Sequence, residues 1–169
     1  MREHRWYFKI MHWLVAGLIL AAFVMAWIFE DMKFSPEKLQ LINYHKWIGF
    51  SVLILFIPRL LSSIKGYAAL PVENIQDKGA KAIHHLLYLC MFITPLLGWL
   101  MSSAKGFQIV LFGFLPIPDL LEKNKELGHT LGEAHEISAT ILLICIGLHI
   151  GGALFRQFVK KDKIISKMI

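Results

Sequence analysis

The chain has 169 residues, of which 56% are hydrophobic and 18% charged, with a formal charge of +6. Its mean hydropathy is +0.56. Soluble domains average roughly 45–50% apolar residues even with glycine counted, and about 25% charged, so this composition excludes a soluble enzyme, a disordered tail and a disulfide scaffold and points to an integral membrane protein.

A helix needs about 20 mostly apolar residues to cross the hydrocarbon core. The first candidate span covers about residues 10–29, with His12 as its one polar intruder. Its apolar run is too long for a signal peptide and has no obvious cleavage site. The second, about 41–64, carries His45, Lys46 and Arg59, and Pro58 is expected to kink it. The third, about 83–101, carries His84 and His85 at its start. Between the third and fourth spans lies a long connection, 106–134. Its first part, Gly106 to Pro118, is apolar but too short to cross, so an interfacial or re-entrant segment is expected there. Its second part, Leu120 to Glu136, reads as a charged helix running into the fourth span, about 135–158, which contains His149. The expected fold is therefore all-α, one membrane domain over residues 1–169 built as a four-helix bundle.

Four spans put both termini on one side. The terminal segments and the connection between spans 2 and 3, with Arg59, hold 12 of the 18 Lys and Arg but only 4 of the 12 acids. The other two connections hold 6 Lys and 8 acids. The positive-inside rule then places both termini in the cytoplasm. The basic tail, Arg156, Lys160, Lys161, Lys163 and Lys167, reads as a solvated end near anionic lipid, not as a nucleic-acid surface.

Four of the eight histidines have a small residue one turn on: His12 with Ala16, His45 with Gly49, His135 with Ala139 and His149 with Ala153. Residues i and i+4 share a helix face, so a flat macrocycle bound through the histidine has room there. His135 and His149 are 14 residues apart, which points both rings to one side of span 4 at levels about 21 Å apart. Depth pairs His45 with His135 at the outer face and His12 with His149 at the inner face. A mismatch of ~6 Å remains between His12 and His149 for helix tilt to absorb.

Two such pairs suit two haems, each held by one histidine from span 4 and one from a facing helix. No Cys-x-x-Cys-His occurs, so the haem would be b-type and noncovalent. A proton relay would want acidic partners, and no span interior holds Asp or Glu. Zinc would want three or four clustered ligands. Bis-histidine iron is closed to oxygen and suited to electron transfer.

Specific residues carry a family resemblance. They are Met11-His12-Trp13-Leu14-Val15, then His45-Lys46-Trp47-Ile48-Gly49 with Pro58-Arg59-Leu60-Leu61, then His84 with Tyr88, Pro95 and Gly98, and finally His135-Glu136 and Gly147-Leu148-His149. In order, over about residues 5–160, they resemble the bacterial cytochrome b561 family of di-haem membrane proteins. The resemblance implies axial roles for His12, His45, His135 and His149, and electron transfer linked to ubiquinone. Some similar members are described as superoxide oxidases. More distant ones are cytochrome b anchor subunits of hydrogenases or formate dehydrogenases, so a partner redox enzyme is an alternative. A cofactor-free membrane scaffold is the other.

The remaining residues take secondary roles. Arg59, 14 residues after His45, lies on the same face about 21 Å inward, where it could pair with a haem propionate or snorkel to the interface. His84 and Tyr88, one turn apart, could bond a propionate or a quinone. Lys46, beside His45, is the candidate for steering an anionic donor such as superoxide, although the outer connections are net acidic. Trp13 and Trp47 adjoin proposed ligands and could wall a haem. Cys90 and Cys145 read as buried packing residues, and His4, His85 and His129 as residues without a site role.

Overall fold

A computed structural model of the chain describes residues 3–67 and 75–161. The side chain of His4, and Pro71, Lys163 and Lys167 of the expected connection and tail, lie outside the described residues. Four long helices account for most of it: α1 (Glu3–Glu30), α2 (Pro36–Tyr67), α3 (Ile75–Ala104) and α4 (Lys125–Phe158). At 1.5 Å per residue, helices of 28 to 34 residues are about 42–51 Å long. Each is apolar and long enough to cross a membrane, and each exceeds the ~30 Å hydrocarbon core.

Helix starts are marked by the local sequence. Ser35 precedes Pro36, and its Oγ accepts from the Lys38 amide at 3.2 Å. The proline's missing N–H falls where a helix has no use for it. At α4, Asn124 Oδ1 accepts from Leu127 N at 3.0 Å, and the helix begins ten residues before His135. Pro58 and Pro95 sit inside α2 and α3, and both helices continue through them, as spans do when neighbouring helices support the freed carbonyl.

The α3–α4 connection is a β-hairpin where the sequence suggested only an interfacial or re-entrant run. Strands β1 (Val110–Leu111) and β2 (Leu115–Pro116) pair antiparallel, Leu111 opposite Leu115. The tip residues Phe112 and Gly113 have φ of 53° and 80°, the left-handed conformation that a tight hairpin needs at both centres. Ile109, Leu111 and Ile117 form a small core against Trp47, Phe50 and Trp99.

Side-chain contacts fix an up-down-up-down arrangement. His45 in α2 reaches Ala22 in α1, and His135 in α4 reaches Thr94 in α3, at the end carrying the hairpin. Arg59 of α2 meets His12 of α1, and Arg156 pairs with Asp77 at 3.1 Å, at the end carrying the termini. The closest helix packing is α3 on α4 and α1 on α2, with α2 on α3 joining the halves. Val15, Val52 and Met91 form the central core of α1, α2 and α3.

Small residues close the α3–α4 seam. A Cβ at Gly128 would come within 2.8 Å of Lys105 Cγ, and one at Gly132 within 3.3 Å of Met101 Sδ. Inside lipid, helix association rests on close backbone approach because apolar burial gains nothing over the tails. The rest of the surface fits that solvent: Trp13, Leu20, Ile57 and Ile144 stand exposed, apolar side chains suited to lipid tails.

Candidate functional site

The structure places four histidines as two ring pairs at two levels. At the hairpin end, the His45 and His135 ring centres are 6.2 Å apart. At the terminal end, those of His12 and His149 are also 6.2 Å apart. The depth mismatch read from the sequence between His12 and His149 is absorbed by how the helices lie. Each pair spans the two helical halves. The backbone of α4 packs most closely along α3, so the rings reach across to the other half.

The hairpin-end pair is held in one tautomer. His45 Nδ1 donates to Ala22 O at 2.9 Å, and His135 Nδ1 donates to Thr94 O at 2.9 Å. A carbonyl only accepts, so the ring proton sits on Nδ1 and each Nε2 keeps its lone pair for a metal. Ser138 Oγ, 3.0 Å from Thr94 Oγ1, braces the same corner. Gly98 makes the seat of the His135 ring: a Cβ there would stand 3.1 Å from Cε1 and 3.2 Å from Nδ1. The sequence reading quoted Gly98 but gave it no task.

The terminal-end pair is held differently. Arg59 Nη2 lies 3.2 Å from His12 Nδ1, so a guanidinium, not a carbonyl, faces that ring. Arg59 is 8% exposed and stacks 4.7 Å from the Phe8 ring and 5.7 Å from the Tyr88 ring. The guanidinium is thus buried between two rings at this end of the bundle. His84 packs 4.8 Å from His149, with its Nδ1 on Ala80 O. The terminal end therefore gathers three imidazoles and a guanidinium. The shared position of His84 and His149 depends on α3 lying against α4, which spacing within one helix does not reveal.

A metal fit follows from simple lengths. With metal–imidazole bonds of about 2.0 Å and ring centres about 1.1 Å beyond, two rings facing each other across one metal lie about 6.2 Å apart, centre to centre. Both pairs meet that distance. The small neighbours Ala16, Gly49, Ala139 and Ala153 are all half-buried on the histidine faces, and a Cβ at Gly49 would meet nothing within 4 Å. Among the described residues no group of three or more His, Cys, Asp or Glu is placed to hold a metal ion, which leaves zinc-type clustering without support. The donor set suits a planar group with two axial sites.

The other candidates fall nearby. Lys46 Nζ donates to Phe107 O at 3.2 Å, half-buried beside the hairpin and next in sequence to His45. Tyr88 packs against the central core beneath Arg59. Trp13 lies beside His12 with ring centres 5.3 Å apart, while Trp47 turns to the hairpin. His129 makes an exposed contact with Glu133 at 3.8 Å, and His85 is exposed. Cys90 and Cys145 are buried free thiols.

Comparison with known proteins agrees with this architecture. The family model described as prokaryotic cytochrome b561 matches residues 3–169. The chain is 27% identical to a probable superoxide oxidase CybB of Yersinia pestis, covering 94% of this chain and 91% of that protein. It is 28% identical to cytochrome b561 homolog 1 of Escherichia coli strain K12, covering 94% and 92%. It is 25% identical to a cytochrome b562 of Cereibacter sphaeroides, covering 94% and 90%. With four membrane-spanning helices and the match along its length, the chain belongs to the prokaryotic cytochrome b561 family, whose members are membrane cytochromes b.

Proposed function

We propose that this protein is a two-haem oxidoreductase of the bacterial inner membrane that takes electrons from a periplasmic donor, superoxide by preference, and delivers them to ubiquinone. The observation that carries the reading is the two ring pairs, each 6.2 Å centre to centre, at two levels of one bundle. Haem b, when bound, supplies a reversible one-electron carrier at each level.

The residues supply the rest. His45 and His135 hold the haem at the hairpin end, oriented by Ala22 O and Thr94 O. His12 and His149 hold the other at the terminal end. Arg59 provides positive charge there for a propionate, and His84 and Tyr88 line the same end, where a propionate or quinone oxygen finds a donor. The excess of Lys and Arg on the terminal side supports a cytoplasmic terminal end and a periplasmic hairpin end. Lys46, at the periplasmic mouth beside His45, draws in an anion. In the overall exchange two superoxide ions each lose an electron and leave as dioxygen, while ubiquinone gains two electrons and two protons. The superoxide assignment draws on the name of the Yersinia pestis relative.

The test joins two measurements on one purified sample. A pyridine haemochrome should give two haem b per chain, and superoxide should drive ubiquinone reduction by the protein alone. Absence of haem would leave the scaffold reading. Quinone reduction only with a copurified dehydrogenase or hydrogenase would make this an anchor subunit.

A further inference from the structure

The hairpin between α3 and α4 lies at an unusual depth for a connection. Its inward residues Ile109, Leu111 and Ile117 pack on Trp47, Phe50 and Trp99. Trp47 and Phe50 are two and five residues past His45, about 3 and 7.5 Å further along α2 toward the middle of the bundle. Trp99 adjoins Gly98, the seat of His135. The hairpin therefore flanks the bundle at the level of the hairpin-end histidine pair.

Its other face is apolar. Phe107, Phe112, Phe114 and Leu115 are 64, 60, 76 and 51% exposed. Residues 106–118 contain no charge at all, and Lys105 and Asp119 bracket them. The backbone gives a second, independent sign. Four carbonyls of the segment are met by side-chain donors. Phe107 O accepts from Ser102 and Lys46. Val110 O accepts from Trp47 Nε1 at 2.7 Å, Pro118 O from Trp99 Nε1 at 3.2 Å and Ile117 O from Gln108 Nε2 at 3.2 Å. Internal satisfaction of backbone polar groups is what lipid demands and water does not. The exposed rings also continue the lipid-facing surface of the spans, and Phe and Leu are side chains that interfacial segments bury at the headgroup and acyl boundary.

We propose that hairpin 106–118 is seated in the lipid leaflet, with Phe107, Phe112 and Phe114 among the acyl chains and headgroup boundary, and that its inward face closes the hairpin-end histidine site from the side. The occupant of the exposed face is phospholipid. Lys46 and Trp47, the two residues after His45, hold the hairpin, so its seating and the position of that ligand are linked. This needs only the membrane placement of the bundle and does not depend on which donor is oxidised.

Thiol accessibility tests it. Phe112→Cys and Phe114→Cys are compared with Lys123→Cys in the polar connection that follows. The native cysteines, 6 and 2% exposed, serve as a silent background measured in the unsubstituted chain. Purified protein with an unchanged haem spectrum is reconstituted into phosphatidylcholine vesicles, and the hairpin-side thiols are treated with a membrane-impermeant maleimide. At positions 112 and 114 modification should be at least tenfold slower than at 123, and complete after denaturation. Rates equal to that of Lys123→Cys at both positions would put the hairpin in water and overturn the proposal. Protection in cell membranes that is lost in pure lipid vesicles would overturn it too, because a protein would then be the cover.

Discussion

Gly98 carries no side chain because the His135 imidazole occupies the space where its Cβ would be: the ring's Cε1 lies 3.1 Å and its Nδ1 3.2 Å from that point. The ring is also fixed by its bond to Thr94 O, so it cannot give way without losing its orientation. Gly98→Val should therefore displace His135 and cost the hairpin-end haem alone. Haem per chain should fall from two toward one in the pyridine haemochrome, with the terminal-end haem retained. Two haems in a well-folded Gly98→Val protein would refute the seating argument.

The terminal-end pair should respond in the opposite way. His12→Leu or His149→Leu should remove that haem and leave the one between His45 and His135. His84→Ala removes the ring 4.8 Å from His149 but no proposed ligand, so it should keep two haems and shift only the spectrum or potential of one. Haem quantitation with low-temperature spectra separates these outcomes. Loss of the hairpin-end haem in His12→Leu would show that the rings are paired wrongly.

Arg59 places a buried positive charge 3.2 Å from the His12 ring. A cation in a low-dielectric site favours the more negative, reduced form of a nearby redox centre. Arg59→Gln should lower the midpoint of the terminal-end haem by about 60 mV or more, a tenfold change in equilibrium for one electron. Arg59→Lys should keep most of that potential. A redox titration that finds the same midpoint in Arg59→Gln, with both haems bound, would refute this.

Asn124 caps α4 through its bond to Leu127 N. Asn124→Ala should cost about 1 kcal/mol, seen as a lower thermal midpoint of the detergent-solubilised holoprotein, with no change in haem content.

The vertical order of the histidines was legible in the sequence because it depends on helix periodicity and span direction alone. Fourteen residues between His135 and His149 fix two levels on one face, and the alternation of spans decides which histidines can meet them. The membrane fold was legible for the same kind of reason, since apolar runs of crossing length leave few alternatives. The hairpin was not legible. Its charge-free stretch looks like any short apolar run until Trp47 and Trp99, 52 residues apart in the chain, are seen to bond its carbonyls. Gly98 and the Arg59–His12 contact were hidden likewise, because each is a meeting of two helices. One local signal was available and unused: Gly128 and Gly132, four apart, carry the small-xxx-small spacing of a close helix seam.

Both ring pairs draw one member from α4 and the other from α1 or α2, which are made well before it. A nascent chain that has threaded three helices into the bilayer thus holds half of each pair and no whole one. On the two-haem proposal, neither haem can be captured until α4 has been made and the second half of the bundle has docked on the first. On that proposal, pigmentation would report that α4 is present and docked, since a product stopped before α4 would be colourless at both levels.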